Sequence, residues 1–225
     1  EDGVASMQRA LELDKKHFPA YAVLGLVFLH REMFDDALGA FKVVLGMNAY
    51  HQEALLGMVV LATKNEEWKS ALAFTARLLD VNENSAQGWF YKGQAELELK
   101  LWTSAIKSLE RAISYDPSSS EEAFIMLASA LHGAGRTKDA IVRLDELLRF
   151  RPGHVSALVN KAFALQTLGE ADRALVLFDE ALRLDASEQN QEARFGRISA
   201  LTALGRRDEA VAYYDTFKPA AGMQG

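Results

Sequence analysis

Alanine followed by an aliphatic residue returns along this chain at Ala37, Ala71, Ala105, Ala140, Ala174 and Ala210, at spacings of 34, 34, 35, 34 and 36 residues. A period in that range means that one supersecondary unit is used again and again, and a unit that short cannot bury its own apolar face. It must stack on its neighbours. The architecture that follows is a solenoid whose core grows by one layer per unit, so the 225 residues read as one domain although length alone would allow two.

Residues 86–119 resolve the unit into two helices. Trp89, Gly93, Leu97 and Leu101 mark one helical period, and Ala105, Leu109, Ala112 and Ile113 mark a second. The break lies near Lys100 to Thr103, where Trp102 is placed to wedge into the turn. Pro117 stops the second helix, having no N–H to continue the ladder. Gly93 and Ala105 are small where two helices must pass closely. The fold class is therefore all-α: six helix pairs, preceded over about residues 3–13 by a lone helix. Gly135, Gly169 and Gly205 end the first helix of the last three units, where a residue tolerant of positive φ is favoured. The first three units instead carry Phe34, Trp68 and Trp102 two positions further on. This reads as two alternative ways of making the same turn.

These residues closely resemble the tetratricopeptide repeat. Its pattern has a large residue at position 4, Leu and Gly at 7 and 8, an aromatic at 11, Ala at 20, a large residue at 24, Ala at 27 and Pro at 32. Trp89, Gly93, Ala105, Leu109, Ala112 and Pro117 match it in one repeat; Tyr21, Leu24, Gly25, Phe28, Ala37 and Phe41 match it in residues 18–51. Residues 52–85 keep Leu55, Met58 and Ala71 but have Val59 at the Gly position. Residues 121–154 keep Phe124, Leu127, Ala128, Ala140, Leu144 and Pro152, and residues 155–188 keep Leu158, Ala162, Leu165, Ala174, Phe178 and Ala181. The last unit, from Gln191, departs most, with Arg194 and Arg197 at normally apolar positions; Ala210 and Tyr214 remain in place. The resemblance implies a right-handed superhelical solenoid of helix-turn-helix repeats over residues 18–217. Residues 1–17 would then be the second helix of a truncated leading repeat, and 218–225 a flexible tail.

Composition removes several function classes. Nearly half the residues are hydrophobic and a quarter charged, the proportions of a packed protein, which excludes disorder for most of the chain. A net charge of −6 with no basic stripe argues against nucleic acid, whose binding rests on clustered Lys and Arg. Without cysteine there is neither a disulfide framework nor a thiolate metal site, which suits cytoplasm or periplasm equally. No apolar run approaches the ~20 residues that span a bilayer, so no direct membrane insertion is expected. His17, His51 and His154 fall in inter-repeat loops, and His30 and His132 lie three repeats apart, so they do not converge as metal ligands must. No phosphate-binding loop, paired-His motif or nucleophile elbow is present. The expectation is a chain with no enzyme activity and no cofactor.

What the resemblance supplies is a groove, lined by positions 2, 5, 6, 9, 12 and 13 of each first helix. On this sequence the candidate partner-binding residues are Leu26, Leu29, Leu56, Val60, Phe90, Tyr91, Gln94, Ile125, Met126, Val159, Asn160, Phe163 and Phe195, with Gly57 and Gly196 at further groove positions. The family's carboxylate clamp is excluded. Asn160 holds its middle position, but Ile125 and Ser129 replace the first Lys and Asn, and Glu192 and Gly196 replace the last Lys and Arg. A carboxylate buried there would lack cationic partners. The stripe is apolar and aromatic, so the natural partner is a protein or peptide segment, helical or extended, with Leu, Phe or Tyr anchors. That makes the chain an interaction scaffold or chaperone-like adaptor. The alternatives are homo-oligomeric assembly through the same surfaces and, less favoured by an apolar groove, single-stranded RNA binding. The chain begins with Glu1, as an excised segment would. Val4, Met7 and Leu11 at one end and Val211, Tyr214 and Phe217 at the other form no polar cap, so self-association through the ends is expected.

Overall fold

The computed structural model describes residues 17–117, 120–185 and 190–216. Among them lie twelve helices and no strand: α1 (Phe18–His30), α2 (Phe34–Met47), α3 (Gln52–Lys64), α4 (Trp68–Val81), α5 (Ala86–Glu98), α6 (Trp102–Tyr115), α7 (Glu121–Gly133), α8 (Thr137–Phe150), α9 (Val155–Thr167), α10 (Ala171–Leu184), α11 (Gln191–Ala203) and α12 (Arg207–Asp215). The expected leading helix, with Val4, Met7 and Leu11, lies outside the described residues, as do Phe217 and the tail. The chain divides into two compact units after Ala123. Helices α1–α6 and the first three residues of α7 belong to the first unit, and the rest of α7 through α12 to the second. Each is an all-α stack of three helix-turn-helix repeats.

In the first unit each helix packs on its repeat partner and on the next repeat, and α1, α3 and α5 also touch in series. Its core includes Ala37, Phe41, Val44, Ala54, Met58 and Leu61. Phe41 is fully buried, with its ring between two glycines. A Cβ on Gly25 of α1 would fall 2.5 Å from the ring, and one on Gly57 of α3 would fall 2.3 Å from it. The backbones of α1 and α3 therefore close directly onto the aromatic faces. Gly93 does the same for Leu109, whose Cγ would lie 2.6 Å from an added Cβ.

The second unit repeats the device. Phe178 on α10 is fully buried in a core with Leu158, Ala162, Leu165, Ala181 and Leu201. Gly196 on α11 lies against its ring, at 2.3 Å from a built Cβ. One departure of the last repeat also finds its reason here. Arg197 is held by Asp179 at 2.6 Å, and its guanidinium stacks 4.2 Å from the Tyr213 ring. An aliphatic stem with a paired, stacked head fills a position held by Leu24, Met58 and Leu127 in three of the other repeats and by Lys92 and Lys161 in the remaining two.

The intra-repeat turn is one motif, not two. All six residues at position 15 have positive φ: Glu32, Glu66 and Lys100 near 58°, and Gly135, Gly169 and Gly205 near 75–81°. In every repeat the N–H of the next residue reaches back to the carbonyl of position 11, as from Leu101 to Glu96 at 2.8 Å and from Arg136 to Leu131 at 2.8 Å. The N–H of position 15 reaches position 12, as from Lys100 to Leu97 at 2.9 Å and from Gly135 to His132 at 2.9 Å. This is the Schellman arrangement, in which two otherwise unpaired carbonyls are satisfied. The aromatics Phe34, Trp68 and Trp102 are thus not a substitute for the turn glycine. Trp68, for example, packs against Ala62, Ala71 and Ala95.

A left-handed conformation costs a side-chain-bearing residue about 1–2 kcal/mol, offset in part by the greater freedom glycine has in the unfolded chain. Glu66→Gly and Lys100→Gly are each expected to stabilise the protein by about 0.5–1 kcal/mol, and Gly169→Ala to destabilise it by a similar amount. Chemical denaturation reads all three, and a loss from the first two would mean that those side chains make contacts worth more than the strain.

Candidate partner-binding surface

The surface is built by the first helices of the repeats. Side chains that escape burial there do so because α1, α3 and α5 in one unit, and α9 and α11 in the other, lean on each other along a narrow line. Position 24 of the second helix then sets what lies beneath. Where it is Phe41 or Phe178, glycine at position 6 of the following repeat seats the ring, so Gly57 and Gly196 are packing residues that present nothing to a partner. In the second repeat the buried residue at position 24 is Thr75, and Val59 and Tyr91 stand where glycine surrounds Phe41. The missing glycine is an exchange of volume between facing helices.

In the first unit Leu26 is 40 % exposed, and Leu56, Val60, Phe90, Tyr91 and Gln94 are half-buried. Phe90 and Tyr91 meet edge to face at 5.3 Å. Burial holds the Tyr91 hydroxyl above its ordinary pKa, with Glu122 adding to the effect. Leu29 packs against the core of this unit, so it supports the surface more than it offers contact.

In the second unit Phe163 is 39 % and Phe195 52 % exposed, while Ile125, Met126 and Asn160 are half-buried. Val159 departs from the expectation. At 2 % exposure it belongs to the core with Leu158 and Ala162, because position 5 of α9 turns toward the packing interior. Phe163 rests edge to face on the buried Phe178, with centroids 5.0 Å apart.

Beside Phe163 lies a cavity of about 140 Å³ that also takes in Asn160, Ser129, His132 and Leu144. It opens where position 24 is Leu144 and not a ring. Its polar groups are oriented by local bonds: the Ser129 hydroxyl donates to the Ile125 carbonyl at 3.1 Å, Asn160 Nδ2 donates to the Ser156 carbonyl at 2.8 Å, and His132 Nδ1 pairs with Thr137 Oγ1 at 3.2 Å. The resemblance to the repeat family named Asn160 and Phe163 but not the cavity, which depends on a leucine from another helix. His154, read as a solvated loop residue, caps α9 by accepting the Ala157 N–H at Nδ1, 3.2 Å.

Among the described residues no cluster of three or more His, Asp or Glu side chains could hold a metal ion, and no helix is long and apolar enough to cross a membrane. A tetratricopeptide repeat family model matches residues 56–122, 125–188 and 159–224. Protein FlbA of Caulobacter vibrioides is 29 % identical over 217 residues, covering 94 % of this chain and 36 % of that protein. The human protein O-mannosyl-transferase TMTC3 is 27 % identical over 157 residues, covering 68 % and 17 %. The chain thus spans about a third or less of these relatives.

Among solved structures, YrrB, described as a tetratricopeptide repeat protein with an unusual peptide-binding site, superposes with a TM-score of 0.72 at 18 % identity, over 83 % of this chain and 95 % of that one. The Pseudomonas aeruginosa protein pilF gives 0.72 at 20 % identity over 92 % and 94 %, and MamA of Desulfovibrio magneticus RS-1 gives 0.71 at 18 % over 76 % and 96 %. At these identities the likeness is one of fold.

Proposed function

The chain belongs to the tetratricopeptide repeat family, and from that premise we propose that it is a non-enzymatic protein-interaction scaffold that captures an apolar segment of a partner on its first helices. The observation that carries this reading is the exposure of large apolar side chains where a folded monomer has no need of them: Leu26, Phe163 and Phe195 keep 39–52 % of their surface in solvent. Phe163 adds a site of definite shape. It flanks the 140 Å³ cavity, room for one aliphatic or small aromatic side chain, with Asn160 positioned to accept a hydrogen bond from the segment's backbone. YrrB, with the same fold, is described as having a peptide-binding site, which agrees with a peptide as the class of ligand. A chaperone-like role would follow if several unrelated segments were taken.

Selection from a displayed random peptide library tests the reading. Peptides enriched on the wild-type protein are expected to carry Leu, Phe or Tyr anchors, and Phe163→Glu should weaken them by about 10- to 100-fold, the loss of one buried apolar side chain at about 1.5–3 kcal/mol. Circular dichroism should show the helical fold retained, with the melting temperature lowered by a few degrees through loss of the contact with Phe178. Anchors without apolar character, or full binding by the variant, would overturn the proposal. Self-association is the second reading, favoured by Val211 and Tyr214, 60 % and 43 % exposed on α12. Sedimentation of the same proteins separates the two, since self-assembly would proceed without peptide.

A further inference from the structure

A second concavity lies away from the first-helix surface. Between α2 and α4, floored by α3, the first unit holds a groove of about 680 Å³, well within the size range of ligand-binding clefts. Its floor is apolar, formed by Met58 and Leu61, both buried in place, and its walls include the half-buried rings of Phe34 and Phe74. Its rim is acidic. Glu32, Asp35, Asp36 and Glu67 stand around the opening with Lys42 as the one base among them; a second base, Lys64, lies over the Phe34 ring at 5.2 Å.

Acidic residues are common in a first helical turn, where they complement the helix dipole, and Asp35 and Asp36 are so placed on α2. The dipole does not account for the whole rim. The next repeat carries Lys69 and Ser70, and the third Thr103 and Ser104, where Asp35 and Asp36 stand in the first. Glu32 and Glu67 belong to the turns. Packing would favour pairing these carboxylates with neighbouring bases, as Arg136 does with Asp139 and Arg206 with Glu209 in the second unit. Here the four acids surround an apolar hollow, and their field is directed at whatever enters it.

We infer that this groove is a docking site for a basic amphipathic segment of another protein, one that places a large apolar side chain on Met58 and Leu61 and sets Lys or Arg against Glu32, Asp35, Asp36 and Glu67. Charge complementarity selects the occupant. An acidic segment would bring like charges together, and a second copy of this chain, itself at net −6, is repelled on approach. The groove lies between two second helices on a floor of α3 and shares no residue with the surface around Phe163, so each site stands or falls alone.

Fluorescence anisotropy with two synthetic helical peptides tests the assignment. Both present Leu and Trp one turn apart; one flanks them with Lys, the other with Glu. The Lys peptide is expected to bind at least about tenfold more tightly than the Glu peptide, and to lose about tenfold in affinity between about 0.05 and 0.3 M salt as the rim charges are screened. The triple variant Asp35→Asn, Asp36→Asn, Glu67→Gln should retain the helical circular dichroism of the wild type and lose no more than a few degrees in melting temperature, through the weaker dipole contact, while losing about tenfold for the Lys peptide. Ser70→Trp, which fills the hollow and leaves the charges, should abolish binding, and Phe163→Glu should leave it unchanged. Equal binding of the two peptides, or an undiminished triple variant, overturns the inference. Loss in Phe163→Glu instead would overturn it too, by moving the peptide to the first-helix surface, and dimers that dissociate in the triple variant would do so by making a second copy the occupant.

Discussion

Phe178→Ala is expected to cost the protein about 3–5 kcal/mol, the range for emptying a buried aromatic site that cannot collapse. The ring is fully buried. The ring is met by the backbone at Gly196 and by the ring of Phe163, and rigid helix backbone does not move in to fill the space. Val176, two residues earlier on α10 but 64 % exposed, is the control: Val176→Ala should change stability by less than about 0.5 kcal/mol. Equilibrium denaturation compares them directly. Similar losses from the two would mean that α10 is turned about its axis from the orientation described here. Phe178→Ala should also weaken peptide capture, because Phe163 loses the surface that holds it in place.

Gly57→Tyr is the second large effect, expected to cost about 3 kcal/mol or more through overpacking. Its Cβ would enter the Phe41 ring at 2.3 Å, so the ring, α1 or α3 must move. The third repeat, however, already carries tyrosine at this position, Tyr91, facing a second repeat that has Val59 and a buried Thr75. Transplanting that set as Gly25→Val, Gly57→Tyr and Phe41→Thr should recover much of the stability that the single changes lose. A coupling of about 1–3 kcal/mol between Gly57→Tyr and Phe41→Thr, measured by a double-mutant cycle, is the expected sign of direct contact. Additive losses would show that the volumes are not exchanged locally.

Most of the fold is legible in the sequence because its rules are local. The alanine period marks the repeats, the glycines and Pro117 mark boundaries, and Gly25 and Gly93 at position 8 announce close helix contacts that the structure bears out. Reading failed where the answer lay in another helix. Phe34, Trp68 and Trp102 suggested a second kind of turn, yet Glu32, Glu66 and Lys100 adopt the same positive φ as the glycines; the hydrogen bonds of the motif outweigh the steric preference, and no local residue type reveals it. Arg197 looked like a defect until Asp179 and Tyr213 were seen around it.

The surface divides along the same line. The groove positions of the repeat family place Leu26, Asn160, Phe163 and Phe195 on the outer side of the first helices, and they are exposed or half-buried there. They place Val159, Gly57 and Gly196 there as well, and the tertiary structure withdraws all three, Val159 into the core and the two glycines beneath Phe41 and Phe178. By itself the sequence determined the repeat period and the pairing of helices, since both follow from spacing within one repeat. The floor of the surface, open beside Leu144 and closed over Phe41 and Phe178, was decided only in the tertiary structure, because it depends on the volume that one repeat's second helix projects beneath the first helix of the next.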